Sequence, residues 1–561
     1  MLIIRIFKYI IFDGKVISDI GKRFPSAMII FGFMMSACTV HAAPVVVVPQ
    51  VDSGALATQK RQRENFNDEQ QQLQRDDRPV ITGPDPSASG LSVKDAGPHF
   101  MLKKVLFSTS VFLTQSELDA IAQPYIGRDV GLNDIQTIVG KVNELYKEKS
   151  IVTGLGVLSA QKITDGEVRI DLIEGKLGEL TVSSQYTKPE FLLQSISLVK
   201  NQVIDINKVE RDFEIFNRTH DIQLRASILP GSELGFSDLN ILAEEPKRVM
   251  LKVFADNQNA SSIGRREAGV DARFNGFFGY GDFARMLVSK SEGSTNLFGE
   301  IGIPFNASGG IVAASYSKND ISIISGAYTL LDITGVSSRT SIRLNQPLYV
   351  DKNWKLASEF SYGKGDSKNY ISGVMLSQID IDTYSATLSV DRQGPGYLWS
   401  TQQQFDFGNS KDQLNQTIDY VIYAPRANWM GSMTDSVRAV ARGAAQYTSN
   451  NNLPPSALFQ IGGPSTVRGY DPGIATGLNG FYANLELHRD LSPGLDCFVF
   501  VDHGEVHVPN TQKTQIGGYG VGVSWSWNQL NAQIIYARPL DIIRPDQSTN
   551  HLDMRVEVAF F

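Results

Sequence analysis

The sequence has little cysteine and no excess of positive charge. Its 561 residues include only two cysteines, Cys38 and Cys497, which are too few and too far apart to indicate a disulfide framework or a metal-binding knuckle. Lysine and arginine number 52 against 59 aspartates and glutamates, a formal net charge of −7, and no compact basic run occurs. Nucleic acid is therefore not an expected partner.

Catalytic motifs are also missing. The sequence contains no H-E-x-x-H, no G-x-S-x-G and no G-x-x-x-x-G-K followed by Ser or Thr, so nothing indicates a zinc peptidase, a serine hydrolase or a phosphate-binding loop. The glycine-spaced GYGVGVS (518–524) continues a strand pattern and opens no helix, so it does not predict a dinucleotide site. We expect no enzyme activity, no cofactor and no bound metal.

The apolar segment near the N-terminus is too short to cross a membrane as a helix. AMIIFGFMMSAC (27–38) has 12 residues, whereas a spanning helix needs about 20. Two basic residues precede it, and small residues follow at Val40 and Ala42, the arrangement of a secretory signal peptide. We predict a signal peptide over 1–42, cleaved after Ala42. A lipoprotein cleavage site at Cys38 is the alternative.

A charged segment follows the signal peptide. SGALATQKRQRENFNDEQQQLQR (53–75) predicts a helix, but its few large apolar residues cannot form a core-facing stripe. We assign 43–76 to an N-terminal polar helix that is either a solvated leader, which composition slightly favours, or a plug inside a polar cavity. The prolines, glycines and serines that follow indicate a linker over 77–97, which tethers the helix rather than packing it.

Two small α+β units in tandem are predicted over 98–175 and 176–247. Each has the order strand, helix, helix, strand, strand. In the first unit, TQSE (114–117) is a capping-box pattern that begins a helix. The next helix has one apolar face, formed by Ile135, Ile138, Val142 and Leu145.

The remaining residues, 248–561, consist of short strands whose side chains alternate with a period of two. In GYGVGVSWSW (518–527) one face is aromatic and apolar, while the other is glycine and serine. FYANLELH (481–488) and LDMRVEVAF (552–560) repeat the alternation. A soluble sandwich also alternates, but the export signal and the lack of apolar helices favour a membrane barrel. At about 20 residues per strand, we predict a transmembrane β-barrel of about 16 antiparallel strands.

Three motifs carry a resemblance to a known family. FQIGGPSTVRGY (459–470), GLNGFYANLEL (477–487) and FVFVDHGEV (498–506) resemble the TpsB transporters of two-partner secretion, which export haemolysins, filamentous haemagglutinin and contact-dependent-inhibition exoproteins. The tandem α+β units resemble POTRA domains, and the first copy ends in the specific pattern DG…IEGKLGEL (165–180). The resemblance covers nearly the whole mature chain.

The resemblance implies a site inside the barrel. A loop near 462–478 folds back into the barrel, and its arginine meets an acidic residue of an F-x-D-x-G motif on the wall. In this sequence the loop motif comprises Val467, Arg468, Gly469 and Tyr470. The wall motif comprises Phe500, Asp502 and Gly504.

Strand alternation bears on the partner of Arg468. It places Asp502 on the lumenal face independently of the resemblance, because a charge facing lipid is costly. Glu486 has the same parity and is the second candidate partner. We expect a charge contact to position the loop, since a loop inside a wide barrel has little apolar surface to hold it. The alternative is that Arg468 merely lines a wet pore.

The resemblance also implies a function and a partner. It implies an outer-membrane pore whose periplasmic POTRA domains recognise a secreted TpsA-type exoprotein, such as a haemolysin, an adhesin or a contact-dependent toxin. Export would use no nucleotide, and the transporter would be a monomer in contact with outer-membrane lipid. Two alternatives stay open: an assembly factor, for which a third POTRA copy would be expected, and a passive porin, which needs no POTRA unit.

Overall fold

The computed structural model describes most of the chain beyond the predicted signal peptide. The signal peptide (1–42) and most of the linker (77–97) lie outside the described residues. Among the described residues, no helix has the length and apolar content needed to cross a membrane. The described residues are 52–72, 81–82 and 99–560, except 234, 327, 509–511 and 546.

The N-terminal part contains a polar helix and two α+β units. Each unit has a small sheet covered by helices, as the sequence predicts. In chain order the elements are α1 (Ser53–Gln72), β1 (Ile81–Thr82), β2 (Phe100–Met101), β3 (Lys104–Phe107), α2 (Gln115–Ala122), β4 (Asp129–Val130), α3 (Leu132–Glu148), β5 (Gly154–Val157), β6 (Glu167–Glu174), β7 (Lys176–Ser183), α4 (Pro189–Leu193), α5 (Ile206–Thr219), β8 (Gln223–Pro230) and β9 (Phe236–Glu244).

The first unit packs α2 and α3 on the three-stranded sheet β3–β6–β5. Helix α2 begins at the predicted capping box, in which the N–H of Thr114 donates to the Glu117 carboxylate at 2.9 Å. The buried face of α3 includes Tyr146 instead of the predicted Leu145, which is only half-buried. The Tyr146 ring fills the space that Gly154 of β5 leaves open, so the larger side chain takes the core position.

The second unit has the sheet order β1–β8–β9–β7. Helix α5 is strongly amphipathic and buries Val209, Phe213 and Phe216 against this sheet, which removes apolar surface from water and stabilises the unit. Strand β1 comes from the segment that we predicted to be a free linker. That prediction is wrong at Ile81 and Thr82, because their backbone adds to the sheet of the second unit.

The C-terminal part is a closed barrel. Within the described residues, sixteen antiparallel strands form it, and its first strand pairs with its last, which confirms the predicted fold class. The barrel strands are β10 (Val249–Asp256), β11 (Glu267–Asn275), β12 (Phe283–Ser291), β13 (Ser294–Pro304), β14 (Ile311–Ser322), β15 (Ile333–Val350), β16 (Trp354–Ile371), β17 (Val374–Gly394), β18 (Tyr397–Asp412), β19 (Thr417–Thr434), β20 (Val437–Gln446), β23 (Asn479–Ser492), β24 (Leu495–His507), β25 (Thr514–Trp527), β26 (Leu530–Pro539) and β27 (His551–Phe560). Between β20 and β23, a long loop contains the two short strands β21 (Phe459–Ile461) and β22 (Ala475–Gly477).

The two faces of the barrel wall differ as the alternation predicts. Tyr519, Val521 and Trp527 of β25 are exposed on the outer face, which suits contact with lipid. Glu486 of β23 and Asp502 of β24 are buried on the lumenal face. The barrel therefore encloses a polar interior behind an apolar outer surface.

The second α+β unit contacts the turns at one end of the barrel. The Ser195 hydroxyl donates to the Ala307 carbonyl at 2.6 Å, and the Arg218 guanidinium donates to the Asp351 carbonyl at 2.6 Å. The Lys355 ammonium donates to the Arg218 carbonyl at 2.9 Å. Because the chain enters the barrel from this unit, these turns mark the entry end of the barrel.

His220 ends α5 beside this contact and gives the unit a pH dependence. Its ring stacks on Phe216 with centroids 4.0 Å apart and meets Phe191 edge-on at 5.6 Å. Burial lowers the pKa of His220 from 6.5 to about 4, although Asp221 opposes the shift and Lys355 adds to it. The folded unit therefore excludes a proton that the unfolded chain accepts below about pH 6.5.

We predict that acidification from pH 7 to pH 5 destabilises the second unit by about 2 kcal/mol. Hydrogen exchange of α5 in the full-length protein should accelerate accordingly. His220→Phe keeps an aromatic ring but cannot be protonated, so the acceleration should largely disappear in this variant. An equal acceleration in His220→Phe would exclude His220 as its source.

Candidate functional site

The loop between β20 and β23 folds into the barrel and packs against the lumenal wall. Val467 and Tyr470 are buried with Ile461 and Ile474 of the same loop, and they contact Ile516 of the wall. The expectation that the loop has little apolar surface is therefore wrong. The loop forms a small apolar core with the wall, and this core brings the motif close to β24 and β25.

Arg468 contacts two carboxylates of the wall. Its Nε and Nη2 atoms donate to Oδ2 and Oδ1 of Asp502, both at 2.7 Å, and its backbone N–H donates to Oδ2 at 2.9 Å. Its Nη1 atom lies 2.7 Å from Oε1 of Glu486. The structure thus brings Arg468 together with both candidate partners.

The charges of this site are almost fully removed from solvent. Arg468, Glu486 and Asp502 are 3%, 4% and 1% exposed. The Arg468 guanidinium also lies over the Phe500 ring, with Cζ 3.6 Å from the ring centroid, a cation–π arrangement. A two-pronged contact with Asp502 uses the planar shape of the guanidinium, which a lysine ammonium lacks.

The glycines of both motifs allow a close approach of loop and wall. Gly469 has φ +92°, and a Cβ there would lie 2.8 Å from the Arg538 carbonyl carbon. A Cβ on Gly504 would lie 3.0 Å from Val467. Gly518 of β25 is tighter still, because its Cβ would lie 1.9 Å from the Arg468 carbonyl oxygen. Only glycine fits these positions without displacement.

Tyr470 fixes the other side of the loop. Its hydroxyl donates to the Gly517 carbonyl at 2.8 Å and accepts from the Asp541 N–H at 3.2 Å. Its ring belongs to the apolar core of the loop. This residue therefore links the loop to β25 and to the segment after β26, as an amphipathic ring with a polar tip can.

Sequence reasoning missed several charged residues around this core. Arg442 and His488 lie 3.2 Å and 2.9 Å from Oε2 of Glu486. On the other side of the loop, Asp471 pairs with Arg265 at 3.1 Å. The lumenal parity of Arg442 and His488 is visible in the sequence, but their contact with Glu486 requires the pairing of β20 with β23.

Helix α1 lies against the lumenal wall and touches the loop. Lys60 and Arg63 both contact the Glu267 carboxylate, and the Ser53 N–H donates to the Asn369 side chain at 2.9 Å. The Gln460 side chain of the loop donates to the Ala55 carbonyl at 3.2 Å. Leu56 is the large apolar anchor of this end of α1, packed among isoleucines of the wall and its turns.

A cavity of about 600 Å³ lies beside the Arg468 site. Its lining combines both signs of charge, from Arg63, Arg438, Arg468, Glu486 and Asp496. Within the described part of the chain, no three His, Cys, Asp or Glu side chains are placed to hold a metal ion. The arrangement is suited to positioning a loop and a helix in a polar lumen.

A closed barrel with an in-folded loop, preceded by two POTRA-type units, defines a POTRA-plus-barrel protein of the outer membrane. The sequence profile described as "Haemolysin secretion/activation protein ShlB/FhaC/HecB" matches residues 235–525, and that described as "POTRA domain, ShlB-type" matches residues 100–175. The chain therefore belongs to the ShlB/FhaC/HecB family of haemolysin secretion and activation proteins. This confirms the resemblance to the TpsB transporters of two-partner secretion.

Named relatives agree with this assignment. The chain is 22% identical over 496 residues to the outer membrane transporter CdiB of Dickeya dadantii, covering 83% of this chain and 87% of the relative. It is 22% identical over 484 residues to the heme/hemopexin transporter protein HuxB of Haemophilus influenzae, covering 79% and 84%. The solved structure of CdiB from Escherichia coli has a similar fold, with a TM-score of 0.64, 19% identity and coverage of 92% and 100%.

The close approach at Gly518 yields a test of loop docking. Gly518→Ala should displace the loop, because the new methyl group collides with the Arg468 carbonyl oxygen. Trypsin should then cleave after Arg468 about tenfold faster, the change that a loss of ~1.4 kcal/mol in docking produces. Gly299→Ala is the matched control, since its Cβ would meet no heavy atom nearer than 3.9 Å. Equal cleavage of the two variants would contradict the described approach.

Proposed function

We propose that this chain is a translocation pore that recognises a TpsA-type exoprotein through its POTRA units and passes it across the outer membrane. Export requires no nucleotide and no covalent step. The observation that carries the proposal is the filling of the lumen by α1 and the loop, whose main anchors are polar. The family and the named transporters among its relatives support the same function.

The contacts of α1 suit an element that leaves the lumen. Besides Leu56, its anchors are hydrogen bonds and ion pairs, including those of Ser53, Lys60 and Arg63. Such contacts are exchanged for water at a modest net cost of about 0.5–1.5 kcal/mol each. We propose that α1 plugs the resting pore and departs during transport, while the hydrogen-bonded wall stays closed.

The Arg468 site is proposed to hold the loop in place while α1 moves. Val467, Gly469 and Tyr470 shape the loop and pack it against the wall. Phe500, Asp502, Gly504 and Glu486 form the facing surface that receives Arg468. In this proposal the loop bounds the pore on one side and directs the passing chain toward the other.

The proposed domain division follows the same function. The chain would be exported by a signal peptide (1–42) and work as a monomer. A polar helix (43–76) and its linker (77–97) would precede the working domains. These would be the POTRA units (98–175 and 176–247) and the barrel (248–561).

Cargo recognition by the POTRA units gives the direct test. Deletion of 98–245 should abolish secretion of a candidate exoprotein that the intact chain exports in the same cells, because no site remains to capture the unfolded cargo. The barrel should still reach the outer membrane, which heat-dependent electrophoretic mobility reports. Secretion at the parental rate by this deletion variant would rule out the POTRA units as the recognition site.

A further inference from the structure

The outer edge of strand β8, in the second POTRA unit, carries a strand supplied by the chain itself. Strand β1 pairs with it in parallel, with Ile81 opposite Ala226 and Thr82 opposite Ser227. Ile81 also packs against the apolar core of this unit. The residues that make this contact belong to the segment following α1, so one stretch of chain joins the lumenal helix to a sheet edge in the periplasm.

The same edge is covered at a second point by an amide side chain. The Leu224 N–H donates to Asn217 Oδ1 at 2.6 Å, and Asn217 Nδ2 donates to the Leu224 carbonyl at 3.0 Å. Asn217, on α5, thus takes the place of a neighbouring strand. Because alternate residues of an antiparallel strand face the edge, Ala226 presents its backbone in the same direction as Leu224, next to β1.

The first POTRA unit repeats this device without the added strand. The Gly156 N–H donates to Asn143 Oδ1 at 2.6 Å, and Asn143 Nδ2 donates to the Gly156 carbonyl at 3.4 Å. Among the described residues, no strand pairs with the outer edge of β5. The unit therefore folds with an asparagine cap alone, and β1 is an addition that the fold itself does not require.

A sheet edge with an apolar seat is suited to binding an extended peptide. Backbone hydrogen bonds along the edge give affinity, and the seat selects an apolar side chain at alternate positions. Strand β1 shows that the β8 edge accepts a strand in parallel orientation with an isoleucine in this seat. A contact of only two residues is small enough to be displaced by a longer strand.

We propose that the β8 edge is the acceptor site for an extended, alternately apolar segment of the secreted exoprotein, and that β1 occupies it until cargo arrives. This inference rests on the proposed function. When a cargo strand displaces β1, the segment that restrains α1 is released, and the helix can leave the lumen. Cargo binding and plug release then favour each other, since a coupling between two binding events is reciprocal.

The length of the chain between the two contacts makes this coupling physically reasonable. Eight residues, 73–80, separate Gln72 from Ile81, and the nine steps between them span at most about 32 Å. Helix α1 itself has 20 residues, a length of about 30 Å. While β1 is paired, the end of α1 stays within this reach of β8, so complete withdrawal is restricted.

A reversible cross-link tests the inference. Ile81→Cys with Ala226→Cys, in a Cys497→Ser background, joins β1 to β8 at neighbouring backbone positions, which suit a disulfide. The control is Thr181→Cys with Asn240→Cys, a parallel pair between β7 and β9 of the same sheet. Oxidation of the first pair should lower opening in planar bilayers and secretion about tenfold, and reduction should restore both. Oxidation of the control pair should change neither.

Two further arms give opposite or independent readouts. Ile81→Asp should weaken the pairing and raise opening toward that of a variant lacking 53–72, which sets the unplugged level. A labelled peptide of residues 76–86 serves as the probe for the edge. It should bind the Ile81→Asp variant, in which the edge is released, and not the oxidised cross-linked variant.

The outcomes separate this inference from the proposed function. If the oxidised and reduced forms secrete and open equally, β1 merely protects the sheet edge, and the inference is overturned while the transport function stands. Absence of peptide binding to Ile81→Asp would likewise overturn the acceptor site. If the intact chain secretes no exoprotein but oxidation still lowers opening, the coupling stands and the proposed function fails.

Discussion

The arrangement of the lumen depends on one buried contact, the guanidinium of Arg468 between the carboxylates of Asp502 and Glu486. A buried charge is tolerated only when it is paired and hydrogen-bonded, so the surrounding residues follow from it. Arg442 adds a second positive charge beside Glu486, so that two cations face two carboxylates. The Phe500 ring covers the guanidinium, and contact is possible only because the loop approaches the wall closely.

Charge alone does not hold the loop. Val467 and Tyr470 share an apolar core with the wall, and this core excludes water from the neighbouring ion pairs. Exclusion of water strengthens a well-made charge contact and makes a broken one costly. The apolar core and the ion pairs therefore depend on each other. Helix α1 has less apolar support, since Leu56 is its large apolar anchor, and this difference explains why we assign movement to the helix and a fixed position to the loop.

The extent of successful prediction reflects which signals are local. The period-two alternation is local, so the barrel, its strand number and the lumenal side of Asp502 could be predicted, and the resemblance identified Arg468 as its partner. Contacts between distant segments left no local signal. The two-residue strand at Ile81 is too short to produce a pattern. The core position of Tyr146 depends on the empty space at Gly154, which only the folded unit reveals.

A double-mutant cycle on the secretion rate tests the central claim that Arg468 and Asp502 act as one unit. We predict that Arg468→Ala and Asp502→Ala each impair secretion without preventing membrane insertion, and that the double variant is scarcely worse than either, a coupling of about 1–3 kcal/mol. Arg468→Lys should restore little, because an ammonium cannot make the two-pronged contact. Asp490→Ala is the control, since Asp490 is exposed and pairs with Arg438, and its effect should simply add to that of Arg468→Ala. Additive effects for Arg468 and Asp502 would contradict the account and leave Glu486 as the partner to examine.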